Sequence, residues 1–105
     1  MAMKRLRRKI TTENLWMHIL AALREKPMYG YEIANYLKNS RGLDAAVITV
    51  YTVLYKMERE GLIARKTGVR FDLRKIYYET TEQGKAVLNE GVQYLQTLLD
   101  EIRGP

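Results

Sequence analysis

Apolar residues recur along this chain with a helical period in four places and with strand character in one. Leu15, Trp16, Ile19, Leu20 and Leu23 form one helical stripe, which ends before Pro27. Thr11 or Thr12 is placed to cap that helix, with Glu13 in its first turn, so the pattern predicts a helix over about 12–25. Met28-Tyr29-Gly30 then reads as a short connection. Tyr31, Ile33, Ala34 and Leu37 predict a second helix over about 30–39, stopped at Asn39-Ser40-Arg41-Gly42, where Gly42 suits a left-handed turn. The run Val47–Val53 is rich in β-branched residues and by propensity alone suggests a strand. The 3-1-3 spacing of Val50, Val53, Leu54 and Met57, followed by Lys56–Glu60 and Gly61, overrides it and predicts a third helix over about 47–60, started by Asp44 or the residues just after it.

Leu62–Thr67 and Phe71–Thr80 read as two strands with Gly68 in the turn between them, which makes a hairpin. Thr81 caps the last helix, with Glu82 in its first turn. Leu88, Val92, Leu95, Leu99 and Ile102 follow with 4-3-4-3 spacings, an a/d seam that calls for a partner helix or packs back onto the first helix of its own chain. Gly91 sits beside the seam, where a missing side chain lets a partner approach. Met1–Ile10 offers little apolar pattern and reads as a mobile or loosely docked arm.

Charge sharpens this outline. The 105 residues carry a net charge of +6, unevenly spread. The arm holds Lys4, Arg5, Arg7, Arg8 and Lys9 with no acid. The hairpin region holds Arg65, Lys66, Arg70, Arg74 and Lys75 against Asp72, the middle is neutral, and residues 79–105 are net acidic. Two basic blocks around a neutral body point to a polyanionic partner. With no cysteine and one histidine, His18, thiolate zinc sites, disulfides and multi-histidine metal centres are excluded. No Ser/His/Asp set, phosphate-binding loop or GxGxxG is present, so neither an enzyme nor a cofactor is expected. No apolar run nears the roughly 20 residues of a membrane span, and the expected location is the cytoplasm.

Three helices followed by a basic hairpin is the order of a winged helix-turn-helix, a mainly α fold with a β-hairpin. The expected organisation is a basic arm at 1–11, the winged domain at 12–80 and a C-terminal dimerisation helix at 81–105. At 100° per residue, the third helix turns Val50, Val53, Leu54 and Met57 inward. Ile48, Thr52, Tyr55 and Arg59 face outward, with Thr49, Tyr51 and Lys56 on the flanks. Hydroxyls, phenols and cations suit phosphates and base edges, which makes Thr49, Thr52, Tyr55, Lys56 and Arg59 candidates for DNA contact. Tyr51 is a candidate for DNA contact or for packing. Ile48 suits a thymine methyl, or the core if the helix starts later. Trp16 reads as core or interface, and His18 as structural or surface.

Pro27-Met28-Tyr29-Gly30-Tyr31-Glu32-Ile33 resembles the P-x-Y-G-Y-E-I signature of the PadR family of transcriptional regulators. Thr49-Val50-Tyr51 with Leu54, then Met57–Ile63, resembles that family's recognition helix running into the first wing strand. Arg74–Gly84 resembles its second wing strand and the start of the last helix. The matches lie in order across about 12–103. The resemblance implies a homodimer that represses transcription on double-stranded DNA, joined through the last helix. For some members it implies a small-molecule effector at the dimer interface, which this sequence does not name. The chain departs from the family at Ile48, where a small residue is usual, and at Thr52, where a proline is usual. It also lacks a proline-rich stretch before the second wing strand. A non-specific architectural DNA-binding protein and a winged-helix protein-interaction module are the alternatives.

Overall fold

In the computed structural model, which describes residues 1–66 and 75–105, α1 (Ala2–Ile10) and a 3-10 turn (Thr12–Asn14) lead into α2 (Leu15–Leu23). The chain continues through β1 (Met28–Tyr29), α3 (Gly30–Arg41), α4 (Val47–Arg59), β2 (Ile63–Arg65), β3 (Tyr77–Thr80) and α5 (Glu82–Arg103). The winged helix-turn-helix order is therefore the observed one. The expected turn at Gly68 and the Phe71 end of the second strand lie outside the described residues.

Leu15, Ile19, Leu20 and Leu23 of α2 lie at the centre of the core. Around them close Ile33 and Leu37 of α3, Val50, Leu54 and Met57 of α4, Leu62 and Ile63, Tyr78 of β3, and Leu88 of α5. Ile19, Leu20, Ile33, Leu37 and Val50 are completely shielded from water. Burying side chains of this kind stabilises a fold by about 1.5–3 kcal/mol each. That packing explains why α4 is a helix despite its β-branched run, since only a helical period puts Val50, Leu54 and Met57 on one buried face. Its N-cap is Ala46, with no side-chain cap, so Asp44 does not start it.

α3 stops at Gly42, whose φ of +66° is the left-handed conformation the sequence suggested. The Leu43 N–H then turns back to the Leu37 carbonyl at 2.9 Å.

Neither Thr11 nor Thr12 caps α2: its N-cap is Asn14, without a side-chain cap, because the Thr11 hydroxyl donates back to the Arg7 carbonyl. Residues 2–10, read as a mobile or loosely docked arm, form a helix. Ala, Met, Leu, Lys and Arg are good helix formers, and Arg7, Arg8 and Lys9 sit in the last turn, where cations complement the helix dipole. The helix is moored at its C-terminal end. The Thr11 hydroxyl donates to the Arg7 carbonyl, Asn14 Nδ2 donates to the Lys9 carbonyl, and His18 Nε2 lies 2.8 Å from the Ile10 carbonyl. Arg8 and Lys9 both reach Glu13 at 2.8 Å, and the Lys9 hydrogen bond leads the effects that hold the Glu13 carboxyl below its ordinary range.

Met28-Tyr29, in turn, is more than a connection. It forms a strand on the far side of β3, giving a three-stranded antiparallel sheet in the order β1-β3-β2. The register pairs Met28 with Tyr78 and Tyr29 with Tyr77, then Ile63 with Thr80, Ala64 with Glu79 and Arg65 with Tyr78. The Tyr29 and Tyr77 rings meet edge-to-face at 5.4 Å.

α5 is locked to the body at its first turn. Thr81 accepts the Gly84 N–H at 3.0 Å and donates its hydroxyl to the Gly61 carbonyl at 2.6 Å. A Cβ on Gly84 would fall on the Leu62 carbonyl oxygen, so only glycine lets α5 leave the sheet this closely.

Candidate nucleic-acid interface

α4 is anchored on one side and free on the other. Val50, Leu54 and Met57 are buried. Ile48 is 76% exposed and Tyr55 61%, and Thr49, Thr52, Lys56 and Arg59 are all exposed. These outward residues form the face anticipated for α4, and Ile48 is not core.

Local contacts set what each side chain offers. Thr52 Oγ1 donates to the Ile48 carbonyl at 2.9 Å, so its proton is turned into its own helix. The Arg59 guanidinium lies 5.7 Å from the Tyr55 ring centre, which orients both over the last turns of the helix. Tyr51 is half-exposed and packs over the start of α3. Its ring occupies the space beside Gly30, with Cζ 2.5 Å from where a Cβ would stand. Packing fixes the ring of Tyr51, while part of its surface remains open.

The sheet side carries cations held by acids. Arg65 Nε bonds to Glu58 at 2.9 Å, which raises the pKa of the guanidinium. Lys66 pairs with Glu79 at 3.1 Å. Lys75 Nζ sits 4.3 Å over the Tyr29 ring. Burial, with a further contribution from Glu58, pushes the Tyr78 phenol up. Arg70 and Arg74, both expected to contact DNA, lie outside the described residues. On α1, Lys4, Arg5, Arg7, Arg8 and Lys9 are exposed, opposite a stripe of Met3, Leu6 and Ile10 that is itself about half-exposed.

The C-terminal seam is divided. Leu88 is 7% exposed and belongs to the core of its own chain. Val92, Leu95, Leu99 and Ile102 stand open at 50%, 41%, 46% and 81%. The position of Gly91 beside the seam predicts that it admits a partner; what lies against it is Trp16 of the same chain, 3.2 Å from where a Cβ would be. Trp16 is half-buried against the core and donates its indole N–H to Asn14. A groove of about 410 Å³ runs past it, bounded by Leu15, Val53, Lys56, Met57 and Val87. Among the described residues no cluster of three His, Cys, Asp or Glu could hold a metal, and no helix is long and apolar enough to cross a membrane.

The model of the transcriptional regulator PadR-like family matches residues 19–90, which takes in all of the core but Leu15, the three described strands and the start of α5. The chain belongs to the PadR-like family. A PadR family transcriptional regulator from Eggerthella lenta superposes with a TM-score of 0.79 at 27% identity, covering 96% of this chain and 88% of that one. PadR of Bacillus subtilis, solved in complex with operator DNA, matches with a TM-score of 0.65 at 32% identity over 74% of this chain and 46% of its own. An uncharacterised protein from Lysinibacillus sphaericus is 33% identical over 78 residues, 71% of this chain and 72% of that protein. PadR-family membership identifies a transcriptional regulator with a winged-helix fold, not an enzyme.

The sequence did not disclose β1, because two residues are too few to show a period. Nor did it disclose the hold of His18 on α1, because a histidine eight residues from a carbonyl leaves no pattern.

Proposed function

We propose that this chain is a DNA-binding transcriptional regulator that acts as a homodimer, repressing from a palindromic operator in the cytoplasm. The observation that carries the reading is the outward face of α4. A helix buried through Val50, Leu54 and Met57 leaves Ile48, Thr49, Thr52, Tyr55, Lys56 and Arg59 open to solvent beside a small sheet. A helix presented in this way fits the major groove, and a sheet beside it reaches the adjoining backbone. The Bacillus subtilis relative bound to operator DNA supports the same partner.

Specificity falls to α4. Lys56 and Arg59 with the sheet-side cations Arg65, Lys66 and Lys75 supply phosphate attraction, as do Arg70 and Arg74 and the α1 cations. The organisation follows as a basic arm at 1–11, a DNA-binding domain at 12–80 and a dimerisation helix at 81–105. The open row Val92, Leu95, Leu99 and Ile102 forms the dimer contact, continued from the buried Leu88. Two symmetry-related α4 helices require half-sites about one helical turn, roughly 34–36 Å, apart or a multiple of it.

Selection of bound fragments from random duplex DNA tests the reading. The expected result is a palindromic consensus with that spacing. Recovery of DNA with no enriched sequence would make the chain an architectural binder, and no retention of DNA would make it a protein-interaction module.

A further inference from the structure

Direct readout in the major groove follows a short chemical code: Arg or Lys for guanine, Asn or Gln for adenine, Asp or Glu for cytosine, and an apolar group for the thymine 5-methyl. Residues 47–54, the first two turns of α4, contain none of the charged or amide side chains in that code. They turn outward Ile48 and Thr52, one turn apart on the same line, with Thr49 and part of Tyr51 beside them. Ile48 is 76% exposed, the second-highest exposure among the large apolar residues of the described helices. Thr52 Oγ1 donates to the Ile48 carbonyl at 2.9 Å, so toward DNA its hydroxyl can only accept, and its γ-methyl is the other group that position offers. Lys56 and Arg59 come only later in the helix, and Arg59 lies about 16 Å along the axis from Ile48.

We infer that Ile48 and Thr52 are specificity-determining residues that together form an apolar reader for thymine methyl groups, so that each half-site carries A·T pairs where the start of α4 enters the groove. The inference rests on the DNA-reading role proposed for α4 and names the base chemistry that role selects.

The test removes the methyl group from the DNA rather than from the protein. Full-length protein binds the duplex recovered by selection, and each thymine of a half-site is replaced in turn by deoxyuridine, which keeps every hydrogen bond and loses only the 5-methyl. Binding is followed by fluorescence anisotropy. Burying one methyl is worth about a threefold to tenfold change in affinity, so one or two positions per half-site should weaken by that factor. In Ile48→Ala and Thr52→Ser the ratio of thymine to deoxyuridine affinity should fall toward one at those positions, whereas Thr52→Val, which keeps the methyl and loses the hydroxyl, should preserve it. Because Ile48 is exposed, its alanine variant should melt with the wild type. Deoxyuridine tolerated within twofold everywhere would overturn the inference while leaving the regulator intact. Discrimination that survives in both Ile48→Ala and Thr52→Ser would do the same. A selection with no consensus at all would overturn the regulator reading and this inference together.

Discussion

In the proposed dimer, the open row on α5 sets the strength of association. Val92, Leu95, Leu99 and Ile102 are exposed to 50%, 41%, 46% and 81%, so covering them removes from water the equivalent of about two whole side chains per protomer. At about 1.5–3 kcal/mol for each fully buried aliphatic side chain, a symmetric pair gains roughly 7–13 kcal/mol. Association costs about 4–15 kcal/mol in lost freedom, so the seam is the difference between a dimer and none.

Val92→Asp with Leu99→Asp removes nearly half of the gain and sets carboxylates against an apolar partner. The lost burial alone is about 3–6 kcal/mol per dimer, at least 100-fold in the dissociation constant. Both positions are open in the single chain, so the helix signal in circular dichroism should persist. Sedimentation equilibrium across micromolar concentrations should then show a wild-type dimer and a folded, monomeric variant. A double variant that sediments as a dimer would refute the assignment of this row as the interface, as would a wild type that stays monomeric at 100-fold higher concentration.

Gly84→Ala should destabilise the fold by about 1–3 kcal/mol in a denaturant titration, because its Cβ meets the Leu62 carbonyl and the Thr80 methyl group 3.0 Å away. Deletion of residues 1–9 should flatten the salt dependence of DNA affinity by about 0.9 in slope for each phosphate released, and should weaken all sequences alike. Arg8 and Lys9 are already paired with Glu13, so a change of up to about three phosphates, matching Lys4, Arg5 and Arg7, is expected in the slope of log K against log salt. The mooring of α1 should also depend on pH. The folded-state pKa of Glu13 is depressed, so its contribution is complete above the ordinary carboxylate range and is lost as pH falls through the lowered value. Amide exchange in residues 2–10 should therefore quicken on acidification below about pH 4, relative to the intrinsic rate, and Glu13→Gln should remove that step.

The helices were legible wherever one partner explained one period. Leu15 to Leu23, Ile33 to Leu37 and Val50 to Met57 all face a single core, so their spacing in the sequence equals their burial in space. The caps at Thr81, Gly42 and Gly61 were legible for the same local reason, since they act on their immediate neighbours, whereas Thr11 and Thr12 do not cap α2 and Asp44 does not cap α4. The rest depended on partners far away in the chain. Met28-Tyr29 is a strand because β3 lies beside it, some fifty residues on. α1 is held by Glu13, Asn14 and His18 after it rather than by a pattern within it. In the candidate interface the outward set on α4 could be listed from a wheel of 100° per residue. The inward turn of the Thr52 hydroxyl and the stacking of Tyr51 over Gly30 could not, because rotamers follow from neighbours.

The a/d seam of α5 shows why periodicity alone cannot name a partner. Leu88 and Val92 are successive members of one 4-3-4-3 row, yet one is sealed in the core and the other is half open. The cause is length. Twenty-two residues of helix extend about 33 Å, and its buried residues, Gly84 and Leu88, both lie in the first two turns. Gly84 and Gly91 bring the first half of α5 against Leu62, Thr80 and Trp16. The second half continues with the same apolar spacing, with Val92, Leu95 and Leu99 about half open and Ile102 81% exposed. A uniform hydrophobic row on a long helix is therefore two rows in its surroundings. The first fixes the helix to its chain, and the second stays open, as the surface assigned to the proposed dimer.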